Sequence, residues 1–221
     1  MSAVFVTATG TDIGKTFTAC GLVAELKRRG RQVTALKPLA SGFDPVHAAE
    51  SDPGRLLAAL GLTLDDANLD RIAPWRFRAA LAPDMAARLE GKRVDFAAVV
   101  AFCRRAARGP GDLVIEGVGG VMSPIADGQT GLDWMAALDL PVIVVAGTYL
   151  GAQSHALTAL EALAARNLAV RALVLSETPD SPVGHAETAS SLARFAPGLP
   201  VVTLPRHNAA PGFARLADLL L

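Results

Sequence analysis

The segment Ala8 to Thr16, A-T-G-T-D-I-G-K-T, joins an apolar run to a helical pattern and sets a lysine beside a hydroxyl. Amide N–H groups exposed at a helix start bind phosphate, Lys15 adds positive charge at the outer phosphate oxygens, and the Thr16 hydroxyl suits Mg2+. That is chemistry for a nucleoside triphosphate. A strict Walker loop wants glycine five positions before Gly14, but that position is Thr9, and Gly10 comes one place too late. The competing reading is a glycine-bearing turn that only caps the first helix. Two carboxylates are candidates to complete a metal site. Asp52 precedes Pro53, so on local signal a helix N-cap explains it at least as well as metal binding. Glu116 ends the apolar run Leu113 to Ile115 and enters E-G-V-G-G, at the carboxyl end of a strand where open α/β sheets bind ligands. Gly117, Gly119 and Gly120 then let another backbone or a ligand come close. Lys37 ends a further strand in A-L-K-P-L-A-S-G, followed by the polar opening at Ser41 and Gly42. It is either a solvated strand-end lysine or a second cation facing the phosphate loop's ligand.

Such residues need a scaffold that brings strand ends together. Short β-branched runs alternate with Ala/Leu-rich stretches, which predicts an α/β protein with a mainly parallel sheet and helices on both faces. Expected strands are Val4 to Thr7, Gln32 to Leu36, Leu113 to Ile115, Pro141 to Ala146, Val170 to Leu175 and Leu199 to Thr203, most of them continuous and so central. Expected helices are Lys15 to Arg29 (stopped by Gly30), Pro53 to Leu60, Asp84 to Leu89, Phe96 to Arg108, Leu132 to Leu138, Gln153 to Arg166, Val183 to Phe195 and Gly212 to Leu220. Ala40 to Asp52 is the longest stretch without periodicity, and long unpatterned loops are often functional. With no repeat or linker, residues 1–221 read as one domain.

Composition narrows the partners. Lys plus Arg and Asp plus Glu number 21 each, so no net field draws the protein to nucleic acid or an anionic membrane, and any anion site must be local. No apolar run reaches the length needed to span a bilayer. Cys20 and Cys103 have neither disulfide nor metal-ligand spacing, which fits a reducing cytoplasm. His47, His155, His185 and His207 are scattered without ligand spacing, and Trp75 and Trp134 read as core or interface anchors.

Beyond single motifs, the chain resembles the dethiobiotin synthetase family along nearly its whole length. The matching pieces are F-V-T-A-T-G-T-D-I-G-K-T, L-K-P-L-A-S-G, E-S-D, V-I-E-G-V-G-G, Asp133-Trp134, P-V-I-V-V, L-G-A-Q-S-H-A-L-T and Leu204-Pro205, in the family's order. The resemblance implies a single-domain P-loop NTPase fold and a homodimer. The implied reaction joins 7,8-diaminononanoate, CO2 (as bicarbonate) and ATP, with Mg2+, to give dethiobiotin, ADP and phosphate. Lys15 and Lys37 would be the catalytic cations, and Thr16, Asp52 and Glu116 the Mg2+ ligands, which sets the N-cap reading of Asp52 aside. Nucleotide contacts would come from Asp12, Ile13, Gly14, Lys15, Thr16 and Phe17, from Asp52, from Glu116, Gly117, Val118 and Gly119, and from Ser176, Glu177, Pro205, Arg206 and His207. Substrate contacts would come from Thr11, Ser41, Leu150, Gly151 and Ser154. Leu150 and Tyr149, apolar residues of an exposed loop, would lie at the dimer interface unless they pack back onto their own chain.

Departures from the family pattern carry expectations of their own. The family loop reads G-T-D-T-E-V-G-K-T, so Ala8 puts a methyl where the backbone turns and Gly10 returns the lost freedom later. Asn-Asp after the late strand becomes Ser176-Glu177, which predicts looser base selectivity, and Ser154 stands where Asn is common. Among rivals, a regulatory ATPase of division sites or plasmids would carry a second loop lysine and a basic terminal helix, and neither is present. A glutamine-using ligase related to cobyrinate diamide synthases would need a glutaminase domain for which the chain has little room. A nucleotide-binding paralogue without synthetase activity is the third rival.

Overall fold

The computed structural model describes residues 2–179 and 181–220. In chain order the elements are β1 (Ala3–Ala8), α1 (Lys15–Arg28), β2 (Val33–Leu36), β3 (Leu39–Ser41), a 3-10 turn (Pro45–Glu50), α2 (Asp52–Leu60), α3 (Asp66–Ile72), β4 (Trp75–Phe77), α4 (Pro83–Leu89) and α5 (Phe96–Ala107). They continue with β5 (Asp112–Glu116), β6 (Pro124–Ala126), β7 (Gln129–Thr130), α6 (Gly131–Leu138), β8 (Val142–Ala146), α7 (Ala152–Ala164), β9 (Val170–Ser176), α8 (His185–Phe195), β10 (Val201–Leu204) and α9 (Ala210–Asp218).

Six strands form one parallel sheet in the order β10-β9-β8-β1-β5-β2. Right-handed crossovers then dictate the layers. The step from β1 to β2 carries α1 to one face, where it packs with α2 and α9; α5 with α6 and α7 with α8 cover the other. The chain changes direction around β1, and the crevice above the carboxyl ends of β1 and its neighbours is where such sheets receive ligands. Continuous Val/Ile runs buried on both faces explain β1, β5 and β8. Two of the expected strands, β2 and β10, are edges instead, and β10 buries only alternate residues. Trp134 is fully buried with its ring edge-on to Phe5, centroids 5.0 Å apart, so it anchors the core. Trp75 packs edge-on against Phe102.

Parallel register sets the site. Val6 pairs with Glu116, and Leu36 with Ile115, so Lys37, one residue beyond β2, emerges beside Glu116. The stretch 40–52 is not formless: it holds the end of β3, the 3-10 turn and the cap of α2. Gly30 ends α1 as expected, at φ 74° with its N–H on the Lys27 carbonyl.

At that end of α1, Glu25 accepts from Arg28 and Arg29 at 2.7 Å each, and Arg29 also reaches Asp218 of α9 at 2.6 Å. The Arg28 and then the Arg29 hydrogen bonds hold the Glu25 carboxyl down at about 2, against an ordinary 4.5. Its contribution is therefore complete above pH 4.5 and is lost as the pH falls through about 2. Glu25→Gln should lower the melting temperature by roughly 2–4 °C at pH 7. Thermal unfolding followed from neutral pH downward should show wild type and variant converging near pH 2.

Candidate active site

The loop after β1 enters α1 through Gly14 at φ 97°, with Asp12 also left-handed at φ 57°. Glycine is required at 14, because a Cβ there would fall 2.4 Å from the Ser176 hydroxyl oxygen. No side chain caps the start of α1, which leaves its first-turn N–H groups for an anion. Two expectations for this loop are corrected. Ala8 is still in β1 and fully buried, its carbonyl accepting from Val121, so its methyl belongs to the core and not to a turn. Gly10 is not among the positive-φ residues, and a Cβ there would touch only Ile13 at 3.7 Å, so it restores no lost freedom.

Lys15 is buried and donates to the Gly10 carbonyl at 3.0 Å, folded over its own loop. Burial, reinforced by the charge on Lys37, pulls its ammonium down to about 8. Beyond it, Thr16 Oγ1 lies 2.7 Å from both Asp52 Oδ1 and Glu116 Oε1. The hydroxyl has one proton for two acceptors. Lys37, 1% exposed, donates to Glu116 Oε1 at 2.6 Å, Asp52 Oδ2 at 2.8 Å and the Gly117 carbonyl at 2.8 Å. Burial opposes the Lys37 charge, but Glu116 and Asp52 outweigh it and its pKa is raised. Burial and the neighbouring Asp52 raise Glu116 despite Lys37. For Asp52 burial loses to Lys37, and its pKa falls.

Asp52 does not cap α2. The cap is Ser51, whose hydroxyl accepts from the Gly54 N–H at 3.2 Å, and Asp52 is the first helical residue, its carboxylate turned to Thr16 and Lys37. These groups fit a magnesium ion: Glu116 Oε2 is a buried carboxylate oxygen without a partner, and the donors are hard oxygens. Among the described residues no group of three or more His, Cys, Asp or Glu gathers elsewhere as a rival metal site.

Around this cluster opens a cleft of about 660 Å3. Its walls include Thr11, Asp12, Gly14, Lys15, Thr16, Phe17, Lys37, Ser41, Asp52, Val118 and Gly119. The Ser41 hydroxyl there is buried and unpartnered among the described residues. Ile13 is half-buried against the core, and Gly117 sits where a Cβ would strike the Phe5 ring at 2.8 Å. Ser176 touches the loop at Gly14, while Glu177 accepts from the Arg206 N–H at 2.8 Å, tying the end of β9 to the loop that carries Pro205, Arg206 and His207. Leu150, Gly151 and Ser154 do not line the cleft; they sit exposed around the uncapped start of α7. Tyr149 has its hydroxyl 2.8 Å from His155 Nδ1 and its ring against Gly147 of its own chain. Sequence reading missed Arg55, Ser123 and the Ala80 to Pro83 wall. Arg55 was findable, since it lies three residues after Asp52 on one helix face.

A family model described as an AAA domain matches residues 2–211. The ATP-dependent dethiobiotin synthetase BioD of a Caulobacter species is 51% identical over 223 residues, spanning 100% of this chain and 95% of its own. The chain belongs to the dethiobiotin synthetase family. Another dethiobiotin synthetase, from Phenylobacterium zucineum, is 46% identical over 100% of this chain and 95% of its own. Among solved structures, the septum site-determining protein MinD of Pyrococcus horikoshii, complexed with Mg-ADP, aligns at TM-score 0.54 and 15% identity, over 99% of this chain and 93% of its own. Cobyrinic acid a,c-diamide synthase of Mycobacterium smegmatis, with bound ADP and magnesium, aligns at TM-score 0.54 and 17% identity, over 98% and 92%. Those two share the α/β fold, whereas the synthetase family shares the sequence.

Removing the Lys37 charge strands Glu116 in a dry site. Lys37→Met should cost about 3–5 kcal/mol in urea unfolding. Adding Glu116→Gln to that variant should return most of the loss, because the neutral amide no longer needs a counter-ion.

Proposed function

We propose that this ligase closes a ureido ring on 7,8-diaminononanoate with CO2 and ATP, working in the cytoplasm as a single domain of residues 1–221. The observation that carries the reading is the Lys37 ammonium held against Glu116 and Asp52 in the same cleft as the phosphate loop. One amine of the substrate captures CO2 as a carbamate. The carbamate oxygen attacks the γ-phosphorus, ADP leaves, and a carbamic-phosphoric anhydride forms. The second amine then attacks the carbonyl carbon, closing the ring and expelling phosphate.

Each residue has a part in that sequence. The first-turn amides of α1 and Lys15 hold the transferring phosphoryl group. Lys37 and the Ser41 hydroxyl meet the carbamate and its phosphorylated form, where negative charge builds. Thr16, Asp52 and Glu116 would hold Mg2+, which when bound supplies charge neutralisation at the phosphate oxygens. Lys37, now a neighbour of both carboxylates, must turn part of its charge toward the carbamate once another cation satisfies them.

The carboxylate end of the diamine needs a donor set, of which the wall of this cleft supplies the Arg55 guanidinium in one chain. The uncapped α7 start at Gly151, with Ser154 in its first turn, can supply the rest, and it lies outside the cleft. A homodimer in which the partner supplies it meets the need, and Leu150, 89% exposed, is the apolar residue such an interface would cover.

ADP release should depend on both diamine and bicarbonate. An equal rate without diamine would reduce the protein to an ordinary ATPase. Lys37→Ala should cut turnover about 100-fold or more, while nucleotide affinity in equilibrium binding stays near that of wild type. Leu150→Asp should give monomers by light scattering that bind nucleotide normally but show a raised KM for diamine.

A further inference from the structure

β2 is one edge of the main sheet, and nothing in its sequence guards it. Val33–Leu36, V-T-A-L, holds no charge, no proline and no bulge, the devices that ordinarily keep an edge strand from pairing. In a parallel pair only alternate residues face a given neighbour. Gln32 gives its carbonyl to the Asp112 N–H at 2.8 Å on the β5 side, whereas Lys37 donates its N–H to the Ile72 carbonyl at 2.9 Å on the opposite side. Val33 and Ala35 therefore point their N–H and C=O groups outward, and among the described residues no group takes them.

That edge is the floor of a groove of about 410 Å3. The groove touches all of β2 and takes walls from both layers, Leu60 and Ile72 on one side and Phe102 and Ala106 on the other, none of them part of the phosphate cleft. Apolar walls on both sides demand an occupant that is apolar on both faces, as a central strand is. The ends of the groove are charged. Ile72 bonds just beyond the carboxyl end of β2, so Arg71 beside it stands at that end. α5 leads into β5, whose Asp112 pairs with Val33, so Arg105 in the last turn of α5 stands at the amino end. Among the described residues neither arginine has a carboxylate: Arg105 lies over the Phe102 ring at 5.4 Å, and Asp70, the acid lining the groove, is held by Arg76 at 2.8 Å. A second copy of this chain is a poor occupant, because pairing β2 with β2 in either direction sets arginine against arginine.

We propose that this groove docks an extended segment of another protein, an apolar core as long as the four residues of β2 with an acidic residue at each end, which adds a strand beside β2. Backbone bonds to Val33 and Ala35 supply the affinity, and the two arginines select the sequence. Fluorescence anisotropy of the labelled peptide E-V-A-V-V-E, titrated with the full chain, tests it. Saturable binding is the expected result. N-methylation of every core amide, which keeps the side chains and removes the donors, should weaken binding by about 10-fold or more. Arg71 and Arg105 are exposed, so reversing their charge leaves folding intact. Arg71→Glu combined with Arg105→Glu should weaken the acidic peptide by about 10-fold or more, and K-V-A-V-V-K should bind that variant better than it binds wild type. Absence of saturation, or full affinity after N-methylation or after charge reversal, overturns the proposal. So does a dimer, seen by light scattering of the protein alone, that Val33→Lys dissolves, because the edge then belongs to a second copy.

Discussion

An ammonium group removed from water is tolerated only when its charge is answered, and in this protein that demand falls on Lys37. Its Nζ meets two carboxylates and a carbonyl within 2.8 Å. Neither β2 nor β5 could slip by one residue without putting Lys37 or Glu116 against an apolar neighbour, so the pairing of Leu36 with Ile115 is locked by electrostatics as well as by packing. The same pair fixes where α2 begins. Asp52 must reach Lys37 and Thr16 from the first turn of that helix, and Ser51 takes over the cap so that it can.

The phosphate loop is the complementary half of the design. Its backbone turns through left-handed Asp12 and Gly14 to leave the α1 amides open, and Lys15 folds inward over the loop. Without an anion the positive groups are satisfied by the loop carbonyl and the carboxylates. A triphosphate would suit Lys15 and the open amides, while a cation held by Asp52 and Glu116 would free Lys37 from part of its present duty. Burial that lowers the Lys15 pKa to about 8 also strengthens every charge contact the ligand makes.

How much of this was legible in the chain varies with the kind of signal. Val4 to Thr7 and Pro141 to Ala146 announce buried strands because a parallel sheet covered on both faces demands unbroken β-branched runs. The gathering of Lys15, Thr16 and Glu116 at one sheet edge was legible because strand-loop-helix order and a charge at a strand end each have a physical cause. Short elements were not: α3 and the small β3-β4 and β6-β7 pairs have too few residues to show a period. Asp52 was ambiguous because Ser51 and Asp52 are both good caps before Pro53, and only the position of Thr16 decides between them. The contact of the Tyr149 hydroxyl with His155, one turn into α7, had no signal in the sequence, because it depends on how the loop before the helix folds back. Gly10 misled because glycine implies freedom only where φ is positive.

The central claim is that Lys37 and the phosphate loop activate a carbamate oxygen against the γ-phosphate, so that this oxygen leaves with the phosphate. Turnover in bicarbonate freshly labelled with 18O, with ATP and diamine in excess and the released phosphate analysed by mass before label exchanges with water, reads that oxygen directly. One labelled oxygen per phosphate is the predicted result. Unlabelled phosphate formed together with a closed ring would mean that water, and not the carbamate, attacks the nucleotide, and would contradict the account.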